Sequence, residues 1–213
     1  ILELKIFLFL LEDLCQSGME KNKPNLDLIF NSIWEELNFG ATQRKHPFHL
    51  CFMATTSSSL TPESRIVILR EVVSDKFLLR SNCDLRSSKA NEIKENPKTT
   101  LLFYDYEKKI QIRIKSKSHV IEHGQQVQSV WDSSQEISKR CYYALQSPSS
   151  ILEKPFTNNL LDFNNKDLGI NIFGLIVSKA YEIDYLSLNY DGHVRCRFVI
   201  ENDVVKSSDW IAP

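Results

Sequence analysis

Five segments in quick succession, 48–56, 65–73, 76–80, 99–106 and 109–121, are rich in Ile, Val, Leu, Phe, Tyr and Thr. These residue types suit a pleated, half-buried surface. The gaps between most of them are too short for the dozen or more residues that a parallel crossover needs, so the strands pair antiparallel, in a sheet or barrel. Segments 170–185 and 194–205 return to the same texture, giving about six or seven strands in all. Asp105 to Lys108 reads as a hairpin loop.

Helices fit around this sheet. Asn25 precedes Leu26, Ile29, Ile33, Trp34 and Leu37, a three-and-four spacing that paints one helical face, and Gly40 stands where that helix would stop. Ser87 caps a second helix through Ala90, Ile93 and Asn96, closed by Pro97. Ser133 and Glu136 have capping-box spacing and open a third, to about Leu145. The polar stretch 157–167 reads as a loop. The expected fold is a single α+β domain over 25–213, a β-barrel with peripheral helices. Residues 1–24 are set apart as an N-terminal extension, because the first methionine is Met19.

Charge narrows the partners. The 213 residues carry 26 Lys plus Arg against 27 Asp plus Glu, so no overall basic field points to nucleic acid or an anionic membrane. The longest apolar run, Ile6 to Leu11, is too short to cross a bilayer and is flanked by Glu3, Glu12 and Asp13, where an export signal would want positive charge. Five cysteines, at 15, 51, 83, 141 and 196, form no C-x-x-C pair. An odd count without that spacing argues against a disulfide framework or a cysteine zinc site and fits a reducing cytoplasm.

Any anion site is therefore local. In Asp84-Leu85-Arg86-Ser87-Ser88-Lys89, two cations and two hydroxyls gather at the first turn of a helix, where free N–H groups and the helix dipole favour a phosphate dianion. Ser64-Arg65-Ile66-Val67-Ile68-Leu69-Arg70 is a strand with a cation near each end, on which a flat ring could lie against the backbone. Gln111 offers donor and acceptor to the polar edge of a heterocycle. Gln146-Ser147 follows a helix, and alternation puts His193, Arg195 and Arg197 on one strand face. Each feature also has a plain reading as solvated surface. No dinucleotide fingerprint, P-loop or hydrolase elbow is present. Neither His46 with His49 nor His119 with His123 has supporting metal-ligand spacing, so no metal is expected.

In order, Arg65-Ile66-Val67-Ile68-Leu69-Arg70, Cys83 to Ala90, Asn96-Pro97, Leu101-Leu102-Phe103, Gln111-Ile112-Arg113, Gln146-Ser147, Arg197-Phe198 and Trp210-Ile211-Ala212-Pro213 resemble the pyridoxamine 5'-phosphate oxidase family. The Asp84-x-Arg86-Ser87-x-Lys89 form and Ile183 to Leu188 are closer to a bacterial and cyanobacterial branch of related FMN-binding proteins. The resemblance implies an FMN-binding split β-barrel acting as a homodimer, with FMN in a groove between subunits. It implies that Arg65 and Lys89 hold the FMN phosphate with Ser87 and Arg86, and that Val67 and Ile68 present backbone to the ring. Arg70 would lie near the ring's polar edge and Gln111 would bond it. Gln146 and Ser147 would come from the partner, and Arg197 would complete the cofactor site.

The substrate side departs from the family. His193-Val194-Arg195 exchanges the family's Arg and His roles, and residues 129–138 hold no arginine to grip a substrate phosphate. The activity implied is an FMN-dependent oxidoreductase acting on a small molecule other than, or less well held than, pyridoxamine phosphate, with His193 and Arg195 as substrate-contacting residues. The alternative is a flavin carrier or sensor without turnover.

Overall fold

The computed structural model describes residues 24–157 and 166–213. The expected N-terminal extension, Pro24 apart, and most of the expected 157–167 loop lie outside them. Helix α1 (Leu26–Thr42) starts where the side chain of Asn25 accepts from the amides of Asp27 at 2.8 Å and Leu28 at 3.1 Å. It buries Ile33, Trp34 and Leu37 against the sheet. Gly40 sits inside the last turn rather than ending it. A Cβ there would meet the backbone of Phe48 at 2.7 Å, so close approach, not termination, demands the glycine.

Among the described residues, nine strands form one antiparallel sheet. They are β1 (Leu50–Thr56), β2 (Pro62–Ile68), β3 (Glu71–Val73), β4 (Leu78–Asp84), β5 (Lys98–Asp105), β6 (Ile110–Ile121), β7 (Phe173–Ser187), β8 (Val194–Glu201) and β9 (Val204–Trp210). The order is β2-β1-β5-β6-β7-β4-β3, with β8 and β9 branching from β7. The count exceeds expectation because segment 65–73 breaks at Leu69-Arg70. In addition, the chain turns back after β8 at Asn202 and Asp203, both at positive φ, to add β9.

The two ends of the main path, β2 and β3, are consecutive in the chain, so the sheet curls until its ends meet without zipping closed. At this break the amide of Leu69 extends the β1–β2 ladder by donating to the carbonyl of His49 at 3.0 Å, and that of Arg70 extends the β3–β4 ladder by donating to the carbonyl of Arg80 at 2.8 Å. The architecture is a split β-barrel, as expected. One face carries the buried row Met53, Leu101, Ile114, Ile183 and Phe198. The other carries Phe52, Leu102, Arg113, Asp184 and Arg197 in matching register.

The remaining helices are α2 (Ser88–Glu95), α3 (Gln125–Ser133), α4 (Glu136–Lys139) and α5 (Lys166–Ile172). Here the expected boundaries move. Ser133 closes α3 instead of opening a helix, its hydroxyl donating back to the carbonyl of Ser129 at 2.9 Å. Segment 170–185 begins as helix, and the strand starts only at Phe173. Phe173 joins Trp131 and Tyr143 in a second apolar cluster beside the seam.

Candidate functional site

The start of α2 gathers most of the expected anion ligands. Ser87 is its N-cap by backbone position, but its hydroxyl donates to the carbonyl of Asp84 at 2.6 Å and accepts from Nζ of Lys89 at 3.2 Å. Ser87 therefore aims Lys89 rather than capping the helix. Burial, aided by the nearby Arg65 charge, lowers the Lys89 ammonium from its usual pKa, with Cys83, Asp84 and Glu92 acting in opposition. That coupling puts Arg65 and Lys89 in one electrostatic cluster.

Arg65 leaves β2 on the core-facing side and is gripped at once. Its Nη1 donates to the hydroxyl of Thr55 and its Nη2 to Oε2 of Glu92 at 2.9 Å. Thr55 donates to the same carboxylate oxygen at 2.5 Å. Glu92, 8% exposed, comes from α2, three residues beyond Lys89, so one helix supplies both the cation and the carboxylate that orients the other cation. Lys89 has no carboxylate ion pair among the described residues. A partly desolvated ammonium beside a pre-aimed guanidinium fits a phosphate well: two cations and one carboxylate leave a net positive charge for a dianion.

Arg86 takes a different path. It donates to both oxygens of Asp84, from Nε at 3.0 Å and Nη2 at 2.7 Å, and to the carbonyls of Leu145 and Ala144 at 3.0 and 3.1 Å. Its guanidinium thus ties the 144–147 loop to the end of β4 instead of standing free beside Lys89. Gln146 and Ser147 line a cavity of about 250 Å³ with Asp84 and Arg86, and Oε1 of Gln146 is buried without a hydrogen bond.

Val67 is buried and Ile68 half-buried on β2, an end strand whose second edge has no strand partner. Alternation along β2 turns the backbone groups of Ile68 to that open edge, whereas those of Val67 face β1. Gln111 lies on the opposite face from Arg65: the register runs Tyr104, Gln111, Leu186, Arg195 on one side and Arg65, Met53, Leu101, Ile114 on the other. Arg197 shares the Gln111 face and reaches Asp209 at 3.7 Å.

The two substrate-side residues separate. His193 is exposed just before β8. Arg195 donates to both oxygens of Asp184, at 3.1 and 2.8 Å, and Arg113 donates to Oδ2 from the other side at 2.5 Å. Burial alone would raise the Asp184 pKa, but the bonds from Arg195 and Arg113 outweigh it and hold the carboxyl below its ordinary range. Arg195 is committed to tying β8 to β7 and, through the carbonyl of Ala212, to the C-terminal segment.

Among the described residues no group of three or more His, Cys, Asp or Glu is placed to hold a metal, and no helix is long and apolar enough to cross a membrane. Sequence reasoning missed Thr55 and Glu92. The signal for Glu92 was its i+3 position from Lys89 on one helical face.

Residues 30–122 match the model of the pyridoxamine 5'-phosphate oxidase FMN-binding domain. The pyridoxine/pyridoxamine 5'-phosphate oxidase of Wolbachia pipientis wMel is 25% identical over 170 residues, 74% of this chain and 73% of that protein. The Arabidopsis thaliana pyridoxine/pyridoxamine 5'-phosphate oxidase 2 is 24% identical over 165 residues, 73% of this chain and 83% of that one.

In fold, a pyridoxamine 5'-phosphate oxidase-related, FMN-binding protein of Nostoc punctiforme superposes with a TM-score of 0.67 at 18% identity, covering 86% of this chain and 96% of that one. PhzG of Burkholderia lata, solved with tetrahydrophenazine-1-carboxylic acid, gives 0.64 at 16% identity, covering 90% and 95%. Over residues 30–122 the chain is similar to the pyridoxamine 5'-phosphate oxidase FMN-binding domain, and its fold is that of the split barrels of this kind.

Proposed function

We propose that the chain binds FMN through its phosphate at Arg65 and Lys89 and works as an FMN-dependent oxidoreductase. The observation that carries this reading is the cluster itself. Lys89 is partly desolvated without a carboxylate partner among the described residues, next to a guanidinium fixed by Glu92 and Thr55. When bound, the flavin supplies hydride and electron transfer, while the protein binds and orients it. Titration of FMN into the protein, read by quenching of flavin fluorescence, tests the reading. The double variant R65A/K89A should weaken binding by at least about 100-fold, since each charge-assisted phosphate bond is worth roughly 1.5 to 3 kcal/mol. Unchanged affinity in that variant rejects it.

The working unit proposed is a homodimer with FMN between subunits. Gln111 and Arg197 lie on the sheet face opposite Arg65, so one ligand meets all three only if a second copy brings that face. Leu50, Phe52, Ile66 and Tyr104 leave large apolar area exposed and offer such a copy a surface. Sedimentation should give twice the chain mass, and a monomer with full FMN affinity contradicts the arrangement.

A second reading, a flavin carrier or sensor without turnover, is favoured by one observation: the guanidinium of Arg195 is already bound to Asp184. Anaerobic mixing of the yellow protein with NADPH or pyridoxamine phosphate separates the two, because only an enzyme bleaches the flavin.

A further inference from the structure

His46 caps the N-terminal end of a single 3-10 turn (Pro47–His49) that leads from α1 into β1, and both of its ring nitrogens are committed. The amide of Phe48 donates to Nδ1 at 3.1 Å, and Nε2 lies 3.0 Å from Oε2 of Glu36 on α1. A backbone N–H only donates, so Nδ1 carries the lone pair. A carboxylate only accepts, so Nε2 carries the proton. The ring is thereby held as one neutral tautomer. In the imidazolium both nitrogens are donors, and the Phe48 amide is left without its acceptor.

The surroundings pull on this ring in both directions. Glu36 attracts a proton to it, but the other Glu36 oxygen is taken by Nζ of Lys108 at 2.6 Å, from the loop between β5 and β6. That bond, with Asp105 and Tyr185 close by, raises the Lys108 pKa against partial burial, so the lysine keeps its charge and opposes a second cation. His49 is engaged elsewhere, its Nδ1 lying 2.8 Å from the carbonyl of Gly40. Phe39 and Phe48 wall the His46 ring at centroid distances of 6.3 and 5.4 Å. Only 12% of the side chain is exposed, so water has little room to replace a lost partner of the Phe48 amide.

The turn connects this ring to the barrel. Phe48 is buried and packs on Phe103 with ring centroids 5.6 Å apart. The next residue, His49, gives its carbonyl to the amide of Leu69 at 3.0 Å, just past the Leu50–Ile68 pair that ends the β1–β2 ladder. We propose that His46 is an acid-sensitive latch: a proton taken from solvent at Nδ1 releases the Phe48 amide, opens the Pro47–His49 turn and loosens the start of β1 from the end of β2. The latch is closed while the ring is neutral and opens as pH falls. Because Val67 and Ile68 lie at the loosened end, FMN is held less well in acid. That consequence rests on the flavin reading above, and the latch itself does not.

Amide hydrogen exchange at Phe48 in the full chain, expressed as protection over the intrinsic rate at each pH, tests the latch without added flavin. In the wild type, protection should fall about tenfold between about pH 8 and 5, the span in which histidine takes up charge and the loss expected for one buried hydrogen bond. The fall should coincide with the change in the His46 ring nitrogen shifts seen by NMR. Asparagine is a favoured cap that does not titrate, so H46N should keep Phe48 protected to within about twofold over the same range. H46A, with no acceptor, should be poorly protected throughout. No fall in the wild type, a fall of equal size in H46N, or a fall that does not follow the His46 ring overturns the proposal. FMN affinity, read in the same series, should weaken more in acid for the wild type than for H46N. If FMN binds at no pH while Phe48 still follows the His46 ring, the latch stands and the flavin reading fails.

Discussion

Glu92 accepts a hydrogen bond from Arg65 at 2.9 Å while Thr55 donates to the same oxygen, so the strand cation and the helix carboxylate are one unit. Leaving either charge alone in this partly buried site exposes the other to an unpaired desolvation cost. E92A and R65A should each lower unfolding free energy by about 2 kcal/mol, and the double variant should cost little more than either alone. Urea melts of the four proteins form the required cycle. Additive losses would mean that the two side chains do not act together.

Lys89 gives a pH dependence. Its pKa is lowered from 10.5, so the ammonium begins to lose its proton at a lower pH than a free lysine. A protonated Lys89 attracts the FMN phosphate and a neutral one does not. Affinity should therefore fall in the wild type as pH rises toward 10.5, before a free lysine would lose its proton, while K89A should be weak and nearly flat over the same range. A fluorescence titration series checks this.

Asp184 acts in the opposite pH range. Its folded pKa lies below the ordinary 3.8, so its contribution to stability is present above that value and is lost as pH falls through the folded pKa. D184N should cost about 2 kcal/mol at neutral pH, and the gap to wild type should close in strong acid. Because Arg195 is held by this carboxylate, D184N should also loosen the C-terminal segment. Amide hydrogen exchange around residue 211, whose amide donates to the carbonyl of Arg195, reads that directly.

Thiol reactivity divides sharply. Burial pushes the Cys83 thiol up to about 12 despite the nearby Lys89, and Cys51 and Cys196 are raised and buried as well. Cys141 is exposed. Of these four, only Cys141 should react quickly with an aromatic disulfide under native conditions, and mass mapping identifies the labelled position.

What the sequence could reveal follows from which forces are local. Strand texture and short gaps forced antiparallel pairing, and the Asn25 cap and apolar stripe placed α1 correctly, because these depend on neighbours along the chain. The cation cluster of Arg65 and Lys89 was also legible, carried by motif order. Partners set by tertiary packing were not. Nothing near Arg86 or Arg195 in the chain says that Asp84 and Asp184 will claim them. Ser133 has capping-box spacing, yet its hydroxyl bonds backward because α3 already occupies the preceding residues.

The central claim is that Arg65 and Lys89 exist to hold a phosphate, and comparing FMN with riboflavin tests it most directly. The two ligands share the ring and differ in the phosphate. Calorimetric titration of wild-type protein should show FMN binding about 100-fold more tightly than riboflavin, with the preference abolished in R65A/K89A. Equal affinities in the wild type, or a preference that survives in the double variant, would contradict the account.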